Sequence, residues 1–384
     1  MLNFSFQNPT RIVFGQAQLA KLSTLIPTGS KVLLLYGGGS IKSNGVYDQV
    51  VKALSGFDWQ EFSGIEPNPS FETLMRAADI VRREKIDFLL PVGGGSVIDG
   101  SKFIAAAAMF HGDAWDILAN GARVTSAVPL GCVLTLPATG SESNGNSVVT
   151  RYDTQQKLSF SSPLVYPKFA ILDPSVTFSL PPKQVANGVV DAFIHVIEQY
   201  LTYPVNAPVQ DRFAEGLLQT LIEEGPKALR DPDNYDVRAN IMWAATMALN
   251  GLIGQGVPQD WATHMIGHEI TAVYGLDHAQ TLAIVLPALL QQQRQQKREK
   301  LLQYGRRVWQ LQHSDEERLI DEAINHTRAF FEQMGVPTRL ADYGITADAV
   351  DILVAKLEVN GMVKLGEHGD ITPEITKQIL RSAI

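Results

Sequence analysis

Phe88-Leu89-Leu90-Pro91-Val92-Gly93-Gly94-Gly95-Ser96 is the stretch on which the fold turns. A short apolar run of this kind predicts a strand buried on both faces, as in a parallel sheet covered by helices. The three glycines then let the backbone turn sharply and approach a ligand without a Cβ clash. The helix predicted to follow, bearing Ser96, Asp99 and Lys102, offers unpaired N–H groups and a partial positive charge to a phosphate. The same tetrapeptide follows an earlier apolar run, Leu33-Leu34-Leu35-Tyr36, as Gly37-Gly38-Gly39-Ser40. A merely structural strand-to-helix turn is the alternative for either one alone, and recurrence after two buried strands favours a dinucleotide cradle.

Outward from these turns, Lys31 to Tyr36, Ile86 to Val92, Leu130 to Leu134 and Phe169 to Leu172 read as strands. Phe71 to Arg83 puts Leu74, Ala77, Ala78 and Val81 on one helical face, and Ser96 to Met109 is an alanine-rich helix. Thr135 to Glu142 follows a strand, so its hydroxyls are expected at the carboxyl end of the sheet, where open α/β sheets bind ligands. Beyond Pro181-Pro182 long amphipathic runs take over: Val185 to Leu201, Asp211 to Glu224 and Val237 to Leu252. Proline cannot continue a helix interior or a central strand. The expectation is therefore an α/β dinucleotide-binding domain with a parallel sheet over residues 1–180 and an all-helical, metal-binding domain over 181–384.

Of the 384 residues, 45% are hydrophobic, enough for a large core, and the net charge of −8 argues against nucleic acid as a partner. The one cysteine, Cys132, excludes an intrachain disulfide framework and a cysteine-rich zinc module. No basic-then-apolar leader and no run of the roughly 20 apolar residues that span a bilayer is present, so a soluble cytoplasmic protein without membrane partners is expected. The glycine pattern departs from GxGxxG. No carboxylate follows the first turn until Asp48, while Lys42 lies close behind it, which favours NADP(H) over NAD(H) because an acidic residue there would repel a 2′-phosphate.

Asp191 and His195 are one helical turn apart, as are His264 and His268, and His278 follows. One histidine on an apolar face is more often a satisfied core residue than a ligand. A carboxylate–imidazole pair with three further histidines favours a metal, and nitrogen and carboxylate donors suit Zn²⁺ or Fe²⁺. Spacing does not choose between His264 and His268 as the ligand, and the one that is not a ligand is a candidate general acid/base. A dinucleotide site and a Lewis-acid metal in one chain point to hydride transfer to and from a carbonyl carbon.

Taken together, Gly37 to Ser40, Gly93-Gly94-Gly95-Ser96-x-x-Asp99, Thr135 to Glu142, Asn187 to Phe193, Gly267-His268-Glu269 and Asp277-His278-Ala279-Gln280 closely resemble the iron-containing alcohol dehydrogenases, above all their NADPH-dependent aldehyde reductase and butanol dehydrogenase branch. The resemblance implies a dehydroquinate synthase-like arrangement of the two domains, a homodimer, and short- to medium-chain aldehydes and primary alcohols as substrates. It implies Asp191, His195, His264 and His278 as ligands of one divalent metal, with His268 as the proton relay. Gly38, Gly39 and Ser40 would face the 2′-phosphate, Gly94, Gly95 and Ser96 the pyrophosphate, and Asp99, Thr135, Thr139 and Lys157 the ribose or nicotinamide. Around Lys157 the segment Leu158-Ser159-Phe160 departs from the family pattern. The rival activities are an NAD-linked polyol dehydrogenase of the glycerol type and a metal hydrolase with purely structural glycine turns.

Overall fold

Six parallel strands form the sheet that the apolar runs predict, in a computed structural model that describes residues 1–384. The strands of the chain are β1 (Arg11–Phe14), β2 (Lys31–Leu35), β3 (Asp58–Phe62), β4 (Phe88–Gly94), β5 (Cys132–Leu136), β6 (Asn146–Arg151), β7 (Gln156–Ser161) and β8 (Phe169–Leu172). The sheet order is β1-β8-β5-β4-β2-β3, while β6 and β7 form a separate antiparallel hairpin. Successive residues of a strand face opposite sides. Leu33, Leu35 and Leu89 accordingly enter one core with Phe103 and Ile104, while Val32, Leu34, Phe88 and Leu90 enter the core on the other side. Burial on both faces is why these strands are continuously apolar.

From β2 the chain passes to β3 on one side and then to β4 on the other. Strand order therefore switches direction between β2 and β4, the position where open α/β sheets bind ligands outside the carboxyl ends of their strands. Both glycine turns leave the sheet at this position. The second strand of the pair runs through Gly94 rather than ending at Val92, and the helix Gly95–Ala107 starts without a connecting loop.

The helical unit is organised around the helix Pro182–Tyr200, in which every residue from Gly188 to Tyr200 is buried. A helix enclosed on all sides is a core helix. Phe193 anchors it against Phe330 and Phe331, with ring centroids 5.2 and 5.6 Å away. Four of its enclosed residues, Asp191, His195, Glu198 and Gln199, are polar, and buried polar groups need partners. Gln199 is satisfied by the carbonyls of His195 and Ala248 at 2.7 and 2.8 Å.

A single division of the chain at 180/181 misses two exchanged segments: Met1–Phe6 groups with the helical unit and Pro232–Thr246 with the sheet unit. Packing explains both. Met242 is fully buried in one cluster with Ile98, Cys132, Leu134, Ala170 and Leu172, and Thr246 Oγ1 donates to Glu142 Oε1 at 2.6 Å. At the other end, Leu2 N donates to Gly256 O at 2.8 Å and the Met1 ammonium donates to Val205 O. No helix is long and apolar enough to cross a membrane.

Candidate metal centre and glycine turns

Helical periodicity puts Asp191, His195 and Glu198 on one face of Pro182–Tyr200, and the helix Ala262–Tyr274 brings His264 against that face. His264 Nε2 lies 3.0 Å from His195 Nε2, and Asp191 Oδ1 lies 3.5 Å from His195 Nδ1. One donor atom from each of Asp191, His195 and His264 falls within 4.8 Å of the others, and all three residues are buried. Two nitrogens bound at about 2.1 Å to one tetrahedral ion stand about 3.4 Å apart, close to the observed imidazole spacing. The set fits a divalent ion in chemistry as well, since two imidazoles and a carboxylate are the donors that Zn²⁺ and Fe²⁺ accept. Burial pushes His195 down to about 4, so its imidazole is neutral near pH 7, the form that ligates a metal.

Glu198 completes the arrangement. Its Oε2 is in hydrogen-bond contact with His264 Nδ1 and its Oε1 accepts from Thr263 N at 2.7 Å. A carboxylate on one ring nitrogen fixes the tautomer and leaves the lone pair of the other nitrogen for the metal. Glu198 is not among the residues that the sequence singles out, although its spacing of seven from Asp191 on one helix is a usable signal. Trp261 precedes the second ligand helix in the left-handed region, with φ 63°. A bulky residue held there costs roughly 1–3 kcal/mol and persists only where the surroundings over-determine it. Its indole stands edge-on to His264, with centroids 5.3 Å apart.

His278 opens the helix His278–Gln292 behind Asp277, whose side chain forms a capping box with Gln280. Asp277 Oδ2 also accepts from Lys183 Nζ at 2.7 Å and Asn187 Nδ2 at 3.1 Å, tying this cap to the first ligand helix. His278 Nε2 reaches 3.7 Å from Asp191 Oδ1 but stands outside the tight triad. One turn after His264, His268 is buried, with ring centroids 6.3 Å from His264 and 5.3 Å from His278.

In the sheet unit, Gly39 adopts φ +96°, which lets the first turn fold back before Ser40 starts its short helix. Lys42 stacks over Tyr36 and Tyr47, 5.1 and 4.6 Å from the ring centroids, and lies 3.7 Å from Glu61 of β3. Glu61 itself accepts from Tyr47 Oη at 2.6 Å. In the second turn a Cβ on Gly95 would stand 2.4 Å from Thr139 Oγ1, so the turn and the Thr135 to Glu142 segment are nested. Asp99 is held by Ser141 Oγ and by Val148 N, the latter at 3.0 Å. Lys102, fully buried, donates to Ser141 Oγ, Asn144 Oδ1 and Asn146 O at 2.8, 2.9 and 2.7 Å. Thr135 is buried on β5. Lys157, on β7, is buried and donates to Asn68 Oδ1 at 2.9 Å.

Comparison with known proteins gives a consistent result. A family model described as iron-containing alcohol dehydrogenase matches residues 9–174, and a second, described as Fe-containing alcohol dehydrogenase family, C-terminal, matches residues 185–384. The chain is 60% identical over 386 residues to the NADPH-dependent aldehyde reductase YqhD of Escherichia coli, with 100% of each chain covered. It is 42% identical over 389 residues to probable NADH-dependent butanol dehydrogenase 1 of Bacillus subtilis, again with 100% of each covered. A crystal structure of E. coli YqhD matches with a TM-score of 0.99 at 59% identity, covering 100% of this chain and 99% of that one.

Proposed function

Because the chain belongs to the iron-containing alcohol dehydrogenase family, we propose that it is an NADPH-dependent aldehyde reductase acting on short- to medium-chain aldehydes and the corresponding primary alcohols. The observation that carries this reading is the buried Asp191, His195 and His264 triad in a chain 60% identical, end to end, to an NADPH-dependent aldehyde reductase. Asp191, His195 and His264, with His278 as fourth donor, hold one divalent ion, Zn²⁺ or Fe²⁺. Glu198 keeps the Nδ1 proton of His264 in place. When bound, the ion supplies Lewis acidity to the carbonyl oxygen and the reduced nicotinamide supplies hydride. His268, beside His278, holds the proton that ends on the product hydroxyl.

In the sheet unit, Gly94, Gly95 and Ser96 receive the pyrophosphate at the start of the helix Gly95–Ala107. Gly38, Gly39 and Ser40 receive the 2′-phosphate. Asp99, Thr135, Thr139 and Lys157 position the ribose and nicotinamide. NADPH is favoured because the first turn carries no carboxylate and Glu61 is occupied by Tyr47 and Lys42. The working form is a homodimer, a reading supported by the exposed apolar residues Met1, Leu2, Phe4 and Phe6. We place it in the cytoplasm, in keeping with the free, buried Cys132.

The test combines metal analysis of the purified protein with NADPH consumption over aldehydes of increasing chain length. NADPH-linked reduction of butanal with a divalent ion bound is the expected result. NAD-linked oxidation of glycerol without butanal reduction would favour the polyol dehydrogenase, and failure to bind any pyridine nucleotide would favour a hydrolase. For the cofactor, Gly39→Asp should weaken NADPH relative to NADH by at least about tenfold, since it sets a carboxylate against the 2′-phosphate. The backbone at Gly39 penalises any side chain, so Gly39→Ala is the control. It should weaken both cofactors alike. Equal losses in both variants would remove the 2′-phosphate from this turn.

A further inference from the structure

We infer that Lys297 is a positioning residue of the metal centre, an inference that rests on the metal reading above. Its ammonium joins the end of the helix bearing Asp191, His195 and Glu198 to the turn that launches the helix bearing His264. Lys297 precedes the helix Arg298–Arg307 and is buried, with 2% of its side chain exposed. Three donors meet three acceptor groups. Nζ donates to Leu201 O at 2.7 Å, just past Pro182–Tyr200, and pairs with Asp260 Oδ2 at 2.8 Å and with both oxygens of Glu367 at 2.8 Å.

Asp260 passes this constraint to the ligands. Its Oδ1 accepts from Ala262 N at 3.0 Å, and its own N donates to Glu198 O at 2.9 Å. Between Asp260 and Ala262 stands Trp261, in its left-handed conformation and against the His264 ring. The turn that sets the direction of His264 is thus held at one side by Lys297 and at the other by the backbone of Glu198. Two carboxylates sharing one lysine carry at most one net negative charge, which the partial positive charge at the start of the helix Ala262–Tyr274 offsets in part.

Buried ion clusters of this kind add little stability over well-packed apolar residues, so energy alone gives poor reason for one here. A metal site, by contrast, needs its donors fixed to within about 0.5 Å. Placing the cluster between the ends of both ligand helices meets that need. Asp260 and Glu367 are the partners through which Lys297 acts.

The experiment uses full-length apoprotein titrated with Zn²⁺ against a chelator and, separately, with Co²⁺, whose visible absorption reports donor geometry. Lys297→Met should bind Zn²⁺ about ten- to a hundredfold more weakly than the parent protein and give an altered Co²⁺ band. The double variant Lys297→Met/Glu367→Gln removes one charge of each sign, and decides by the same criteria if the single variant does not fold. A purely structural role would lower the thermal midpoint of the apoprotein while leaving Zn²⁺ affinity within about twofold and the Co²⁺ band unchanged. That result overturns the inference. Should the parent protein bind neither ion, the metal reading and this inference fall together.

Discussion

Glu198 does its work through one proton. Holding Nδ1 of His264, it leaves Nε2 to face His195 Nε2 and whatever ion lies between them. Glu198→Gln removes the charge and, with one oxygen where the carboxylate has two, can accept from only one of Thr263 N and His264 Nδ1. The variant should therefore bind Zn²⁺ about ten- to a hundredfold more weakly, as measured by chelator competition. Parent-like affinity would show that the carboxylate does not tune the ligand. At this scale the sequence was partly legible. Asp191 and His195 announce themselves by their spacing, because one helix fixes both. The partner of Glu198 lies far along the chain on another helix, and no local periodicity encodes that meeting. The same holds for His278, whose approach to Asp191 depends on how Asp277 is anchored by Lys183 and Asn187.

Among the elements, the helix Gly95–Ala107 carries an unusual passenger in Lys102, which pins the turn from Ser141 to Asn146 to the helix. Burial pushes its ammonium down to about 8, from an ordinary value of 10.5. Between those values the unfolded chain binds a proton that the folded chain has released, so this contribution to stability rises with pH. Below about pH 8 the full cost of the buried charge is present. Denaturant unfolding of the parent protein from pH 8 to 10 should show a gain relative to Lys102→Met, with a slope of up to about 1.4 kcal/mol per pH unit. Parallel profiles would place the titration elsewhere. Runs buried on both faces gave β2, β4, β5 and β8 away in the sequence, with β5 displaced to Cys132–Leu136 because Leu130 makes only an isolated bridge to Leu89. The edge strands β1 and β3 and the hairpin β6–β7 escaped, since their half-exposed, mixed residues lack a continuous apolar signal.

For the molecule as a whole, the change of texture at Pro181-Pro182 was visible, but the exchange of segments was not. Pro232–Thr246 sits within a helical stretch of sequence and nonetheless completes the sheet unit, with Met242 fully buried in its core. A fragment of residues 1–181 would leave the cluster of Ile98, Cys132, Leu134, Ala170 and Leu172 uncovered. Such a fragment should fail to unfold cooperatively in calorimetry and should expose apolar surface to a hydrophobic dye, and the intact chain should do neither. A sharp transition from the fragment would mean that Pro232–Thr246 is dispensable. The nesting of Gly95 against Thr139 carries a different consequence, for laboratory evolution. A library that diversifies Gly95 alone sends most of its members into collision with Thr139. A search for new cofactor preference in this scaffold has to vary the two codons jointly or leave Gly95 untouched.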